Sequence, residues 1–267
     1  MPEIDAVRDT PDRDLLEQAA REAGALALTY FGKEPETWLK NNTSPVSEAD
    51  LAVDRFLEDA LGNARPDYGW LSEESTDQPH RLDKERVFIV DPIDGTRAFL
   101  AGGDEWTVAI AVVEGGVPQA AAVFCPVRGE MYTAVSGGGA FLNGQKLQAS
   151  GRAAINGALL SGPHSISANR EVLAAGFVRT GYIRSLAYRF AQVASGAVDV
   201  AVARKGPSDW DLAAADLLVQ EAGGQIRGLD GAPVVYNKPE TRHPALIAAP
   251  IPLIGEAARL ISRVAGS

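Results

Sequence analysis

Two aspartates three residues apart, Asp91 and Asp94, stand inside the run VFIVDPIDGTRAFL at residues 87–100. Four apolar residues lead into them, so the pair sits where a buried strand emerges from a core. Carboxylates gathered at such an edge repel one another without a counter-ion. Gly95 and Thr96 follow, and residues 97–100 suit a short helix. The first N–H groups of such a helix are unpaired and favour a phosphate. Anion donors beside two carboxylates call for a cation between them, and hard Mg2+ takes oxygen ligands of this kind. Other acids stand at element ends: Asp50 near the start of a helical run, Glu73 and Glu74 after YGWL, and Asp211 just past Trp210. Taken singly, these have plain structural readings, since acids complement helix N-termini and glutamate pairs are common on surfaces.

The elements that must position these groups follow from periodicity. Residues 14–32 carry apolar side chains at helical spacing and stop at Gly32. A polar connection is expected at 33–45. A helix then starts at Ser47, with Asp50 three residues on as in a capping box, and Leu51, Phe56, Leu57 and Leu61 as its buried face. Residues 68–71 read as a short strand delivering Glu73. Pro92 donates nothing to a ladder and is expected to end the strand at 87–90. Hairpins follow, turning at Gly115-Gly116 and at Asn143-Gly144. Past residue 150, helices and strands alternate, with helices at ANREVLAAGF, SLAYRFAQVASG and DWDLAAADLLVQEAGG, strands at VDVAVA and PALIAAP, and a terminal helix. This change of pattern predicts two subdomains, 1–140 and 141–267.

Composition narrows the function. The chain has 267 residues, 46% of them hydrophobic, and a net charge of −10 from 35 acidic and 25 basic side chains. That sign argues against a general nucleic-acid binder. It allows a phosphorylated small molecule if bound cations reverse the local field. One cysteine, Cys125, permits no intramolecular disulfide and fits a reducing cytoplasm. The acidic N-terminus is unlike a signal peptide, and no apolar stretch is long enough to span a bilayer. His80, His164 and His243 are not spaced as zinc ligands.

The combination of blocks carries more than any one of them. SPVSEAD at 44–50, EES at 73–75, DPIDGT at 91–96, and WD followed by EAGG at 210–224 resemble the inositol monophosphatase superfamily, in order along nearly the whole chain. The resemblance implies Mg2+-dependent, lithium-sensitive phosphomonoesterases, a homodimer, and a layered α-β-α-β-α sandwich of the inositol monophosphatase/fructose-1,6-bisphosphatase type. It implies that Glu73, Asp91, Asp94, Asp211 and the carbonyl of Ile93 ligate two or three Mg2+ ions. Asp50 and Thr96 would orient the attacking water, with Glu73 counted beside them in catalysis. Gly95 and Thr96 would hold the phosphate, Asp211 would also meet the substrate, and Glu74 would support the ligands from behind. SPVSEAD with DPIDGTRAFL is closer to bacterial 3′(2′),5′-bisphosphate nucleotidases, which predicts 3′-phosphoadenosine 5′-phosphate as substrate, with inositol 1-phosphate as the alternative. Arg204 and Lys205 are candidates for a second phosphate, and Arg189 and Arg184 are further candidates. A metal-binding scaffold without turnover is the alternative of a different class.

Overall fold

The computed structural model describes residues 2–33, 35–40 and 44–265. Helix α1 (Pro2–Leu28) begins well before the helix expected from residue 14 and ends before Gly32. Its extension has a tertiary cause. Asp9 and Asp12, about one turn apart, both pair with Arg86, at 2.7 and 2.8 Å. The C-terminal end tightens as the N–H groups of Thr29 and Tyr30 turn back to Leu26 and Ala27.

The expected polar connection at 33–45 is instead largely a hairpin of β1 (Thr37–Lys40) and β2 (Ser44–Ser47). Residues 34 and 41–43 of that stretch lie outside the described residues. Helix α2 (Glu48–Ala64) starts at Ser47 with the expected capping box closed by Asp50. Val53, Leu57 and Leu61 form its buried face, while Leu51 and Phe56 are only partly covered.

A seven-stranded sheet follows. Strand β3 (Gly69–Ser72) lies parallel to β4 (Arg86–Asp94), with a 3-10 turn at Pro79–Asp83 between them. After α3 (Thr96–Leu100), the strands β5 (Thr107–Glu114), β6 (Val117–Cys125), β7 (Glu130–Val135), β8 (Gly139–Leu142) and β9 (Gln145–Lys146) pair in sequence order, all antiparallel. The expected boundary at 140 falls inside β8, whose pairing with β7 carries the sheet beyond it. The rest of the chain comprises β10 (Leu159–Ser161), α4 (His164–Ser167), α5 (Arg170–Ala174), β11 (Val178–Arg179), α6 (Leu186–Ala194), β12 (Val200–Ala203), α7 (Asp209–Glu221), β13 (Gly224–Gly228), β14 (Leu246–Pro250) and α8 (Ile251–Ala265). Its five strands form a mixed sheet in the order β11-β10-β12-β14-β13. Gly224, expected to close α7, opens β13 instead; Gly223 makes the turn at φ 89°.

Alternation along β4 shows how the layers stack. Phe88 and Val90 face α1 and α2 in one core, while Val87 and Ile89 face α6 and α7 in another. Helix α7 is enclosed by both sheets, which explains why its apolar residues run all round it. A third core joins the far face of the smaller sheet to α5 and α8. The result is an α-β-α-β-α sandwich. No helix among the described residues is long and apolar enough to cross a membrane.

Pro92 does not end β4. The register runs Asp91 to Ala109 and then Asp94 to Thr107, so β4 holds one extra residue there. Such a bulge is where an internal strand accommodates a proline. It also matters for chemistry. Residues three apart on a regular strand point to opposite faces, and one inserted residue brings them to the same side.

Candidate active site

The bulge brings Asp91 and Asp94 together, and Asp211 joins them from the first turn of α7. A carboxylate oxygen of each lies within 4.8 Å of the other two. Asp211 is fixed by accepting the N–H of Ser208, at 2.6 Å, across the cap of its own helix. Asp94 accepts the Ser185 hydroxyl and the Ala187 N–H, each at 2.6 Å, from the start of α6. Ser185 is itself held by Thr107, the residue opposite Asp94 in the sheet. Asp91 differs. Both of its buried oxygens meet no hydrogen-bond donor in the structure.

Burial drives the electrostatics of this cluster. It pushes Asp91 well above the ordinary carboxylate range, with Glu73 and Asp94 adding repulsion. Asp94 is raised by burial against its hydrogen bonds from Ser185 and Ala187. Asp211 is pushed up to about 7, by burial first and Asp94 second. Glu73 lines the same cleft and is pushed up to about 8 by burial, then by Asp211 and Glu74. Buried acids that all resist ionisation form a site short of positive charge. Asp91's orphaned oxygens and this donor set fit a hard divalent cation.

Glu74 pairs with Lys40 at the end of β1. Lys40 also donates to the carbonyl of Glu73, at 2.7 Å. Asp50 lies behind Thr96, and its Oδ2 accepts the Ser47 N–H and hydroxyl at 2.8 and 2.6 Å. Burial raises its pKa against those bonds. The Thr96 hydroxyl lies 3.2 Å from both Asp50 Oδ1 and the Ile93 carbonyl, so its one proton has two acceptors in reach. Gly95 caps α3 at φ 95°, a conformation suited to glycine. A Cβ there would crowd Ser185 at 3.2 Å, close to the Asp94 partner.

Glu73, Asp91, Asp94, Gly95, Thr96 and Asp211 line a cleft of about 820 Å³. A second cavity of about 620 Å³ adjoins it and shares Tyr182, Arg184, Gly206 and Asp211 with it. The two expected mouth cations separate here. Lys205 lines the carboxylate cleft, whereas Arg204 lines the adjoining cavity and donates to Ser165 at 2.8 Å. Arg189, a further candidate for the substrate, lines the adjoining cavity. Its guanidinium donates to the carbonyls of Ile183 and Val202 and stacks on Tyr182, which makes it a brace beneath the cavity wall. Arg184 is exposed at the junction of the two cavities and donates to the Arg97 carbonyl.

Lys40 and Ser185 were not found by sequence reasoning. Lys40 lay in a stretch read only as polar, and it meets Glu73 and Glu74 more than thirty residues on. Ser185 does carry a signal, as an N-cap serine before an amphipathic run. That signal points to a helix start and says nothing of Asp94.

Fold and site together define a class, the layered α-β-α-β-α phosphatases. A solved structure of the extragenic suppressor protein SuhB from Bartonella henselae superposes with TM-score 0.84 at 29% identity, covering 95% of this chain and 99% of that one. More particularly, the chain belongs to the inositol monophosphatase family, whose sequence model matches residues 9–258. It is therefore a phosphoric monoester hydrolase. The Nus factor SuhB of Xylella fastidiosa is 35% identical over 83% of each chain. The histidinol-phosphatase of Chlorobaculum parvum is 36% identical over 80% of this chain and 85% of its own. Other similar proteins are named inositol-1-monophosphatase, at 35% identity, and 3′(2′),5′-bisphosphate nucleotidase, at 29%.

Proposed function

We propose that this chain is a Mg2+-dependent phosphomonoesterase acting on a small metabolite by direct attack of water, with 3′-phosphoadenosine 5′-phosphate as the leading substrate. The observation that carries the metal reading is Asp91, whose two buried oxygens lack any donor while Asp94 and Asp211 crowd them. Asp91, Asp94, Asp211, Glu73 and the Ile93 carbonyl would hold two or three ions. When bound, Mg2+ supplies the positive charge that admits a phosphate dianion to this acidic cleft and acidifies a bound water.

The chain's own groups do the rest. Thr96 Oγ1, between Asp50 and Ile93, orients the attacking water and passes a proton toward Asp50 Oδ1. Burial raises the Asp50 pKa, which makes it a better proton acceptor. The capping box holds Asp50 still while this happens. N–H groups of Gly95 and Thr96, at the start of α3, meet the phosphate oxygens. Glu74, paired with Lys40, supports the Glu73 segment from behind.

The adjoining cavity supports the choice of ester. His164, Arg184 and Arg204 line it with only Asp211 opposing them, which suits a second anionic group on the substrate. Histidinol phosphate, with its ammonium group, fits that wall poorly. Inositol 1-phosphate is the second reading, favoured by greater identity to an inositol-1-monophosphatase than to a nucleotidase. The test is phosphate release from both esters side by side, with Mg2+ and with EDTA. A higher kcat/KM on the bisphosphate supports the proposal. Preference for inositol phosphate overturns the substrate, and release that persists in EDTA overturns the metal.

A further inference from the structure

The glutamate pair lies between two serines in the run LSEES at 71–75, and both serines reach the same partner. That partner is Asp54, one turn beyond Asp50 on α2 and only 4% exposed. Ser72 donates its hydroxyl to Asp54 Oδ1, and Ser75 donates to Oδ2 at 2.5 Å. Neither serine is free to turn. The Ser72 oxygen accepts the Glu74 N–H at 3.3 Å, and the Ser75 oxygen accepts the Trp70 indole N–H at 3.2 Å. Each hydroxyl has one proton, so this arrangement requires an acceptor at both oxygens of Asp54. Asp54 does not line the cleft.

We infer that Asp54 is a positioning residue, which clamps both ends of the Glu73–Glu74 segment to the helix that carries Asp50. The inference rests on Glu73 being a metal ligand, as proposed above. The Glu73 N–H bonds the Val90 carbonyl at 3.2 Å, which holds the segment against β4 just before Asp91. The clamp adds a tie to a second element, so Glu73 is located relative to both Asp91 and Asp50. Asp54→Asn keeps the volume but places an amide N–H2 against one serine, whose proton then loses its acceptor. That end of the segment is released, and the Glu73 carboxylate is no longer preorganised. Partners that orient metal ligands typically contribute about tenfold or more to metal affinity.

The test is calorimetric titration of the metal-stripped full chain with Mn2+ alone, with metal-free Tm measured in parallel. The samples are wild type, Asp54→Asn, Ser72→Ala, Ser75→Ala and the Asp54→Asn/Ser75→Ala double variant. Asp54→Asn is expected to bind Mn2+ about tenfold more weakly, and to regain most of its kcat at saturating Mg2+. Ser72→Ala and Ser75→Ala should shift affinity in the same direction. The double variant should lose less affinity than the two single losses summed, because Asp54 and Ser75 share one contact. Wild-type Mn2+ affinity in a folded Asp54→Asn, or strict additivity in the double variant, overturns the inference. If Asp54→Asn does not fold, unchanged affinity in both serine variants overturns it instead. A wild-type chain that binds no Mn2+ overturns the metal reading itself, and the inference with it.

Discussion

Removing a charge from the site is expected to stabilise the metal-free protein, and Glu73→Gln shows why. Burial, Asp211 and Glu74 push the Glu73 carboxyl from its ordinary 4.5 up to about 8. The fold therefore holds a proton that the unfolded chain releases near 4.5. This proton-linked stability is fully present below that value and lost as pH rises through about 8. At about 1.4 kcal/mol per pKa unit the full shift is a ceiling of ~5 kcal/mol. Asp211 shares the repulsion, so about half of that is expected for one substitution. At ~2–4 °C per kcal/mol, Glu73→Gln should raise the metal-free Tm by ~5–10 °C near pH 8.5 and by ~1 °C or less near pH 5. Calorimetric unfolding in EDTA across that range is the assay. With Mg2+ added, wild type should gain more than the variant. A variant less stable than wild type at high pH, or a gain equal at both ends, would refute the reasoning.

Asp94→Asn should abolish Mg2+-dependent phosphate release while circular dichroism shows a native fold, because the amide oxygen can still accept from α6; near-normal turnover would remove Asp94 from the site. The Mg2+ concentration for half-maximal activity should rise at least ~10-fold from about pH 8 to about pH 6, because Glu73 and Asp211 must lose protons to bind metal. A flat profile would contradict that competition. Arg204→Ala should raise KM for a bisphosphate ~10-fold and leave a monophosphate nearly unchanged. Equal effects on both would return Arg204 to the surface.

What was legible in the sequence depended on whether the cause was local. Strands β5 and β6 announced themselves as apolar runs flanking Gly115-Gly116, and α7 as the run DWDLAAADLLVQEAGG. The layered fold was reached from motif blocks rather than periodicity. Strand β1 stayed hidden because TWLK is exposed on both faces and shows no alternation. Strands β10 and β11 are only three and two residues long, too short for any period. Pro92 was expected to end the strand, and it does not, because the bulge that absorbs it depends on pairing with β5. The acids of the site could be named from motif and element ends. Their supports could not. Ser185 reaches Asp94 across 91 residues, and Lys40 reaches Glu73 across 33. The sequence around Arg189 carries no sign of the Ile183 and Val202 carbonyls that hold it beside the adjoining cavity.

The central claim is that Asp91, Asp94, Asp211 and Glu73 gather to hold the cations that admit a phosphate. Anomalous diffraction from crystals grown with Mn2+ tests it most directly. At least one strong peak is expected among the carboxylates of Asp91, Asp94 and Asp211, within bonding distance of Asp91, and it should be lost in Asp91→Asn crystals. Crystals with saturating Mn2+ that show no peak in this cleft would contradict it.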